Sequence, residues 1–354
     1  MSTLTFRSIS KNQLAWHPQL AGNTREWLYL DGVMANGYKY DLLFASKMEM
    51  AENIVGFEKK ELPLIMCQIT NPEGETHRVA AAFPIEELSL SMEPWGVKIG
   101  ENTLTGALTS EGEPSGYHVK VAHDDFGVDI TAKAVALGIK FVEEEHGYMF
   151  YDPATNFAVG YWPLIPRAEI EGTLTFHGQT VPVKGLGWCE RQVGNEVFAG
   201  WISKWLWGHG WAGDYTVFWM SIASTEATQY RHMSPAVVWK GNDIVLCTHN
   251  AAHSAERYEI DPEIGMPFPT IETVHATDGN VELNVMVLPG TILFRQLMTN
   301  NPGTSPEKPG SYFRQHSDFD MEIRRLDRIE KIRGTLIREA GWIEQLFPVP
   351  GRSG

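Results

Sequence analysis

Apolar and polar residues alternate along much of this chain. Val281, Leu283, Val285 and Val287 occupy every second position of one stretch, and Ile170, Gly172, Leu174 and Phe176 do so in another, the period of a strand with one buried face. Short runs rich in Val, Ile, Thr, Tyr and Phe recur from end to end, broken by Gly, Pro, Asn and Asp, so the pattern predicts an all-β protein. Asn36-Gly37 lies between strand-like residues 27–33 and 38–44, and Asn-Gly supplies the positive φ angles of a type I′ hairpin turn. His177-Gly178-Gln179 is read as the turn of another hairpin. Helical signal is confined to residues 46–54 and 84–90. Residues 300–310 carry three prolines and two glycines and read as a long surface loop, either a lid or a plain connector.

A faint repeat divides the chain. Gly172-Thr173-Leu174 precedes Gly187-Trp188-Cys189-Glu190, and Gly334-Thr335-Leu336 precedes Gly341-Trp342-Ile343-Glu344. The two copies sit where two domains of similar size would end, which places domains at residues 1–195 and 196–354. Closed barrels suit so many short strands, because closure removes exposed sheet edges.

A chain of 354 residues is long enough for two such cores. Its formal charge of −15 argues against a nucleic-acid partner and a polybasic membrane anchor, since neither is built from a surface dominated by carboxylates. Cys67, Cys189 and Cys247 are too few and too scattered for a disulfide framework or a cysteine zinc site, which favours a reducing compartment. The first sixteen residues lack the apolar core of a signal peptide, and no run is long enough to span a bilayer. A cytoplasmic protein is expected.

Two segments carry a family likeness: Glu26-Trp27-Leu28-Tyr29-Leu30-Asp31-Gly32, and Gly185-Leu186-Gly187-Trp188-Cys189-Glu190-Arg191-Gln192-Val193-Gly194. They resemble the signature segments of the superfamily that contains carotenoid 1,2-hydratase (CrtC), the AttH-like proteins, kievitone hydratase and the fungal decalin-forming Diels-Alderases. The resemblance extends over most of residues 20–225 and implies two consecutive lipocalin-like antiparallel β-barrel domains enclosing an apolar cavity near their junction. It also implies chemistry on apolar polyenes, polyketides or terpenoids without a redox cofactor. Trp188 and Gly194 keep the family residues, whereas Glu190 stands for Asp, Arg191 for His and Val193 for Trp. Arg191 stays charged at physiological pH and is no proton donor. Val193 has no π face to shield a cation. The resemblance therefore points toward the cyclase branch, in which a shaped pocket folds the substrate and one or two donors polarise a carbonyl.

Six of the twelve tryptophans lie between Trp188 and Trp219. Such density suits either a pocket for a large apolar ligand or core packing. Trp188, Trp201, Trp205, Trp207, Trp219 and Trp342 are the candidate substrate contacts, with Trp201, Trp205 and Trp207 on one side if residues 202–207 are extended. Lys204, among these aromatics, is either a carbonyl donor or a snorkelling side chain. Glu190 and Arg191 are adjacent and face opposite sides of a strand, so one of them points into the barrel. An inward Glu190 is a candidate general acid or base, and an outward one a structural acceptor. Arg191, Tyr230 and His232 are further candidate donors to a substrate carbonyl. Glu26 is read as an anchor of the barrel end and Asp31 as a turn cap.

His249 and His253 have the i, i+4 spacing of a metal pair but lack the glutamate that follows the first histidine in a zinc protease. No Gly-rich phosphate loop and no Gly-x-Ser-x-Gly elbow occurs. Neither a metal nor a cofactor is expected. The sequence thus points to a cofactor-independent cyclase of specialised metabolism. A hydratase or dehydratase of an isoprenoid or phenolic double bond and a non-catalytic lipid or pigment carrier stand as alternatives.

Overall fold

The computed structural model describes residues 4–9, 24–47, 62–92, 95–143, 148–154, 156–195, 202–226, 230–299, 304, 308–326 and 328–342. The chain folds as two compact units, Met1–Val197 and Phe198–Gly354. Most of the expected helix at 46–54, most of the loop at 300–310, Trp201 and Glu344 lie outside the described residues.

The first unit begins with β1 (Leu4–Ser8), β2 (Arg25–Met34), β3 (Lys39–Ala45), β4 (Leu64–Thr70) and β5 (Thr76–Ala82). It continues through β6 (Leu88–Met92), β7 (Trp95–Ile99), β8 (Asn102–Leu108), β9 (Pro114–His123) and β10 (Phe126–Ala136). It ends with β11 (Ile139–Glu143), β12 (Phe150–Asp152), β13 (Phe157–Phe176) and β14 (Gln179–Gly194). Its main sheet is antiparallel, ordered β5-β4-β3-β2-β14-β13-β10-β9-β8-β7-β6, with β12 beside β13 and a separate β1-β11 pair. The inner face is a continuous apolar core that includes Leu28, Leu30, Leu42, Phe44, Ile130 and Cys189.

The second unit holds β15 (Ile202–Ala212), β16 (Tyr215–Ser224), β17 (His232–Met233), β18 (Ala236–Lys240) and β19 (Asp243–Thr248). β20 (Ala252–Ile260), β21 (Pro267–Thr277), β22 (Val281–Met298), β23 (Gly310–Arg325) and β24 (Arg328–Trp342) complete it. The order is β19-β18-β16-β15-β24-β23-β22-β21-β20, again antiparallel, with β17 beside β16. The alternating Val281, Leu283, Val285 and Val287 are all buried, in one cluster with Val217, Trp219 and Met321. This is the all-β, lipocalin-like architecture expected from the sequence.

Several local expectations change. Gly37 has φ 88° and donates its N–H to the Met34 carbonyl, and Asn36 is not among the positive-φ residues, so this loop is a type I turn closed by a left-handed glycine. The two-residue type I′ turn occurs instead at His177 (φ 48°) and Gly178 (φ 76°), between the paired Phe176 and Gln179. Residues 84–90 hold only a single 3₁₀ turn, Ile85–Glu87, before β6 begins. Asp31 is no turn cap. It lies mid-strand, fully buried, opposite Trp188 on β14 and Asp41 on β3. The repeat is only half structural: Gly172-Thr173-Leu174 lies on β13 and Gly187-Trp188 on β14, whereas Gly334-Thr335-Leu336 and Gly341-Trp342 both fall on β24.

Candidate functional site

Strand pairing settles which side chains share a face, because residues directly opposite one another in a ladder point the same way. Arg191 pairs with Leu28 and Cys189 with Leu30, so Arg191 belongs to the inner face of the first unit. It is buried there, its Nε lies 2.5 Å from Glu26 Oε1, and its guanidinium covers the Trp162 ring at 4.8 Å. Burial lowers its pKa and Glu26 opposes that shift. Glu26 is thus an internal counter-charge to Arg191.

Glu190 takes the opposite face. Its Oε2 accepts from the Tyr161 hydroxyl and, at 2.8 Å, from Trp188 Nε1, while its Oε1 accepts from Gln192 Nε2 at 2.8 Å. Both carboxylate oxygens are engaged in a buried network, the arrangement of a structural acceptor. Trp188 is committed to the same network.

The tryptophans of the second unit do not line one surface. Trp205 and Trp207 share a side of β15 with His209 and Trp211, and Trp205 lies beside Tyr312 at 5.6 Å. Lys204, Leu206 and Gly208 face the other way. Leu206 packs with Phe313, Ala340 and Trp342, so the face that carries Lys204 is the inner one. Trp219 is also inward and is sealed in the core over Gly208. Tyr230 is exposed in a turn with φ 50°.

One row across the second unit brings three candidate groups together. Trp342 on β24 is opposite Lys204 on β15, Lys204 is opposite Ala223 on β16, and Ala223 is opposite His232 on β17. Adjacent strands are about 4.8 Å apart, so Lys204 and His232 flank Ala223 at a backbone separation of roughly 10 Å. The small alanine, itself only partly buried, leaves room between them. His232 Nε2 is 2.9 Å from Ser221 Oγ, which orients the ring. His232 is exposed, and its partial burial lowers its pKa, with Lys204 and His253 lowering it further. Burial also lowers that of Lys204, against the pull of Glu272.

Beyond this row lies a charged network that no sequence motif marks. Arg338 Nη1 donates to Glu272 Oε1 at 2.6 Å, and Nη2 donates to Gln315 Oε1 at 2.7 Å and to the Pro269 carbonyl at 3.1 Å. His253 Nε2 is 2.9 Å from Glu272 Oε2. Burial alone raises the carboxyl pKa of Glu272, but Arg338 and His253 outweigh it and hold the group below its ordinary value. Tyr258 lies beside Trp342 at 6.3 Å between ring centres, and its phenol is pushed up by burial and by Glu272. His253 therefore serves a carboxylate.

A sequence signal for this network exists, although a motif scan misses it. Glu272 occupies the inward phase of β21 with Val274 and Ala276, Arg338 that of β24 with Leu336 and Ala340, and Lys204 that of β15 with Leu206. A charged residue in the apolar phase of an alternating strand is costly unless paired, and marks a built polar site.

The chain has the two-domain lipocalin-like fold of the AttH/CrtC-like proteins. CghA solved with Sch210972 superposes with a TM-score of 0.59 at 10% identity, covering 91% of this chain and 89% of that one. A putative AttH from Nitrosomonas europaea gives 0.60 at 15% identity, with 92% and 96% covered. Kievitone hydratase from Nectria haematococca gives 0.57 at 14% identity, with 94% and 92% covered. No family model matches the sequence, and a search of curated proteins gives no significant match. Among the described residues no helix is long and apolar enough to cross a membrane.

Proposed function

We propose that the protein is a cofactor-independent cyclase that binds an apolar, carbonyl-bearing small molecule across the inner row of its C-terminal barrel. The observation that carries this reading is the row itself, in which an indole, an ammonium, a methyl and an imidazole lie in order across four adjacent strands. A carbonyl oxygen above Ala223 receives hydrogen bonds from Lys204 and His232, and the substrate body lies along Trp342 and Phe313. Two donors drawing density from one carbonyl lower the barrier to a polar or pericyclic ring closure, and a folded bound pose supplies the rest by proximity. His232 does not need to be charged. With its pKa depressed, the neutral ring donates from one nitrogen while Ser221 engages the other.

A hydratase is the second reading, favoured by the buried His253–Glu272 pair, which is suited to activating water. Occurrence of a hydratase among proteins of this fold supports the same alternative.

Extraction of the protein purified from its own host tests the binding mode. Wild type is expected to carry an apolar carbonyl compound, and Lys204→Met to lose most of it. A wild-type protein without such a compound, or a Lys204→Met variant that keeps its full load, contradicts the assignment.

A further inference from the structure

Three hairpin turns that are distant in sequence meet at one end of the first unit. The β4–β5 turn and the start of β5 bring Glu75 and His77, the β9–β10 turn brings Asp125, and the β13–β14 turn brings His177. β5 is the edge strand of its sheet, and β10 stands six places away along the hydrogen-bonded order. His77 and Asp125 nonetheless touch, so these side chains bridge the seam where β5 comes round to β10.

The geometry at this seam is that of a ligand set. His77 Nε2 is 3.4 Å from Asp125 Oδ1, His177 Nδ1 is 3.4 Å from Asp125 Oδ2, and the ligating atoms of the three residues all lie within 4.8 Å of one another. In a tetrahedral zinc site with bonds of about 2.0–2.1 Å, neighbouring ligand atoms are roughly 3.3 Å apart. The two contacts with Asp125 already have that spacing. His177 Nε2 lies 3.4 Å from Glu75 Oε1, which places a carboxylate on the nitrogen facing away from Asp125. Such a partner keeps the ring proton on Nε2 and leaves the Nδ1 lone pair for a metal, as the outer carboxylates of histidine-metal sites do.

His77 stacks on His177 with centroids 4.2 Å apart and planes 12° from parallel, so one ring turns about its side-chain bonds when both bind one ion; the edges of Phe126 and Phe176 pack on His77 at 5.6 and 6.0 Å. His177 adopts a left-handed backbone, φ 48°, that presents its side chain to the cluster.

We propose that His77, Asp125 and His177 bind a divalent transition-metal ion of the zinc class, with Glu75 as the outer partner of His177, and that the ion clips the β5–β10 seam of the N-terminal barrel. Two imidazoles and a carboxylate are the donor set such borderline ions prefer, whereas calcium and magnesium take oxygen ligands. The site is independent of the proposed cyclase chemistry.

The test is zinc titration of tag-free, full-length protein by calorimetry, with thermal melting alongside. Wild type is expected to bind one zinc ion and to melt at a higher temperature with zinc than with a chelator. His177→Asn keeps a residue tolerant of the left-handed turn, and Asp125→Asn keeps the shape of the side chain. Each variant is expected to fold, to weaken zinc binding at least tenfold and to lose the zinc-dependent melting shift. His118→Ala, which removes a separate surface His–Asp pair, is expected to bind as wild type does. Wild-type protein that binds no zinc, or variants that bind it as tightly as wild type, overturn the proposal.

Discussion

Glu272 and Arg338 are each 1% exposed as side chains, and their pairing decides how the second unit tolerates charge in its interior. Removing one member leaves the other buried and uncompensated, which costs about 3–5 kcal/mol. Glu272→Gln is therefore expected to lower unfolding stability by that amount at neutral pH, measured by urea denaturation. The sign of the pH dependence follows from the depressed carboxyl. Its contribution is complete above the ordinary value of 4.5 and is lost as pH falls through the lower folded-state value. The stability gap between wild type and Glu272→Gln should shrink below pH 4.5; a gap independent of pH contradicts the pairing. At the same scale, the inward position of Arg191 could not be read from its sequence neighbours. Alternation places Glu190 and Arg191 on opposite faces, but only the pairing of Arg191 with Leu28 and of Cys189 with Leu30 shows which face is the core.

Among the elements, β15 shows best how a correct local reading can mislead. The extended strand and the shared side of Trp205 and Trp207 follow from period-two geometry, yet that side is opposite the face bearing Lys204. Aromatic density in the sequence therefore does not equal a pocket wall. Turn chemistry misleads in a similar way, since Asn36-Gly37 carries the type I′ residues and His177-Gly178 carries the type I′ turn. The element-level test of the site is Ala223→Leu, which fills the gap between Lys204 and His232 without removing a donor. It is expected to fold and to reduce activity and ligand binding at least tenfold, whereas unchanged binding would place the ligand elsewhere. Close packing gives a second test: a Cβ on Gly106 would lie 1.9 Å from the Trp95 indole. Gly106→Ala is expected to cost about 1–3 kcal/mol by overpacking, measured as a lowered melting temperature.

At the scale of the molecule, period-two patterning and turn residues made the all-β class legible, and the two signature segments made the lipocalin-like architecture legible. The candidate site was legible only in part. Lys204 and His232 stood out as isolated donors, but the row that joins them through Ala223 depends on the register of four strands, which no single segment encodes. Glu272, Arg338 and His253 come from three strands of the second unit and meet only once the sheet forms. The metal cluster has the same origin, three turns brought together by a closing seam.

The inner row of the second unit is proposed to close a ring in a carbonyl compound. The most direct test compares metabolites of the host with and without the gene, restored by wild type or by Lys204→Met. The compound accumulating without the gene and the product that disappears are expected to have the same mass, and Lys204→Met to restore less than about one tenth of the product. A mass difference of one water would establish a hydratase instead, and an unchanged metabolite profile would leave a carrier.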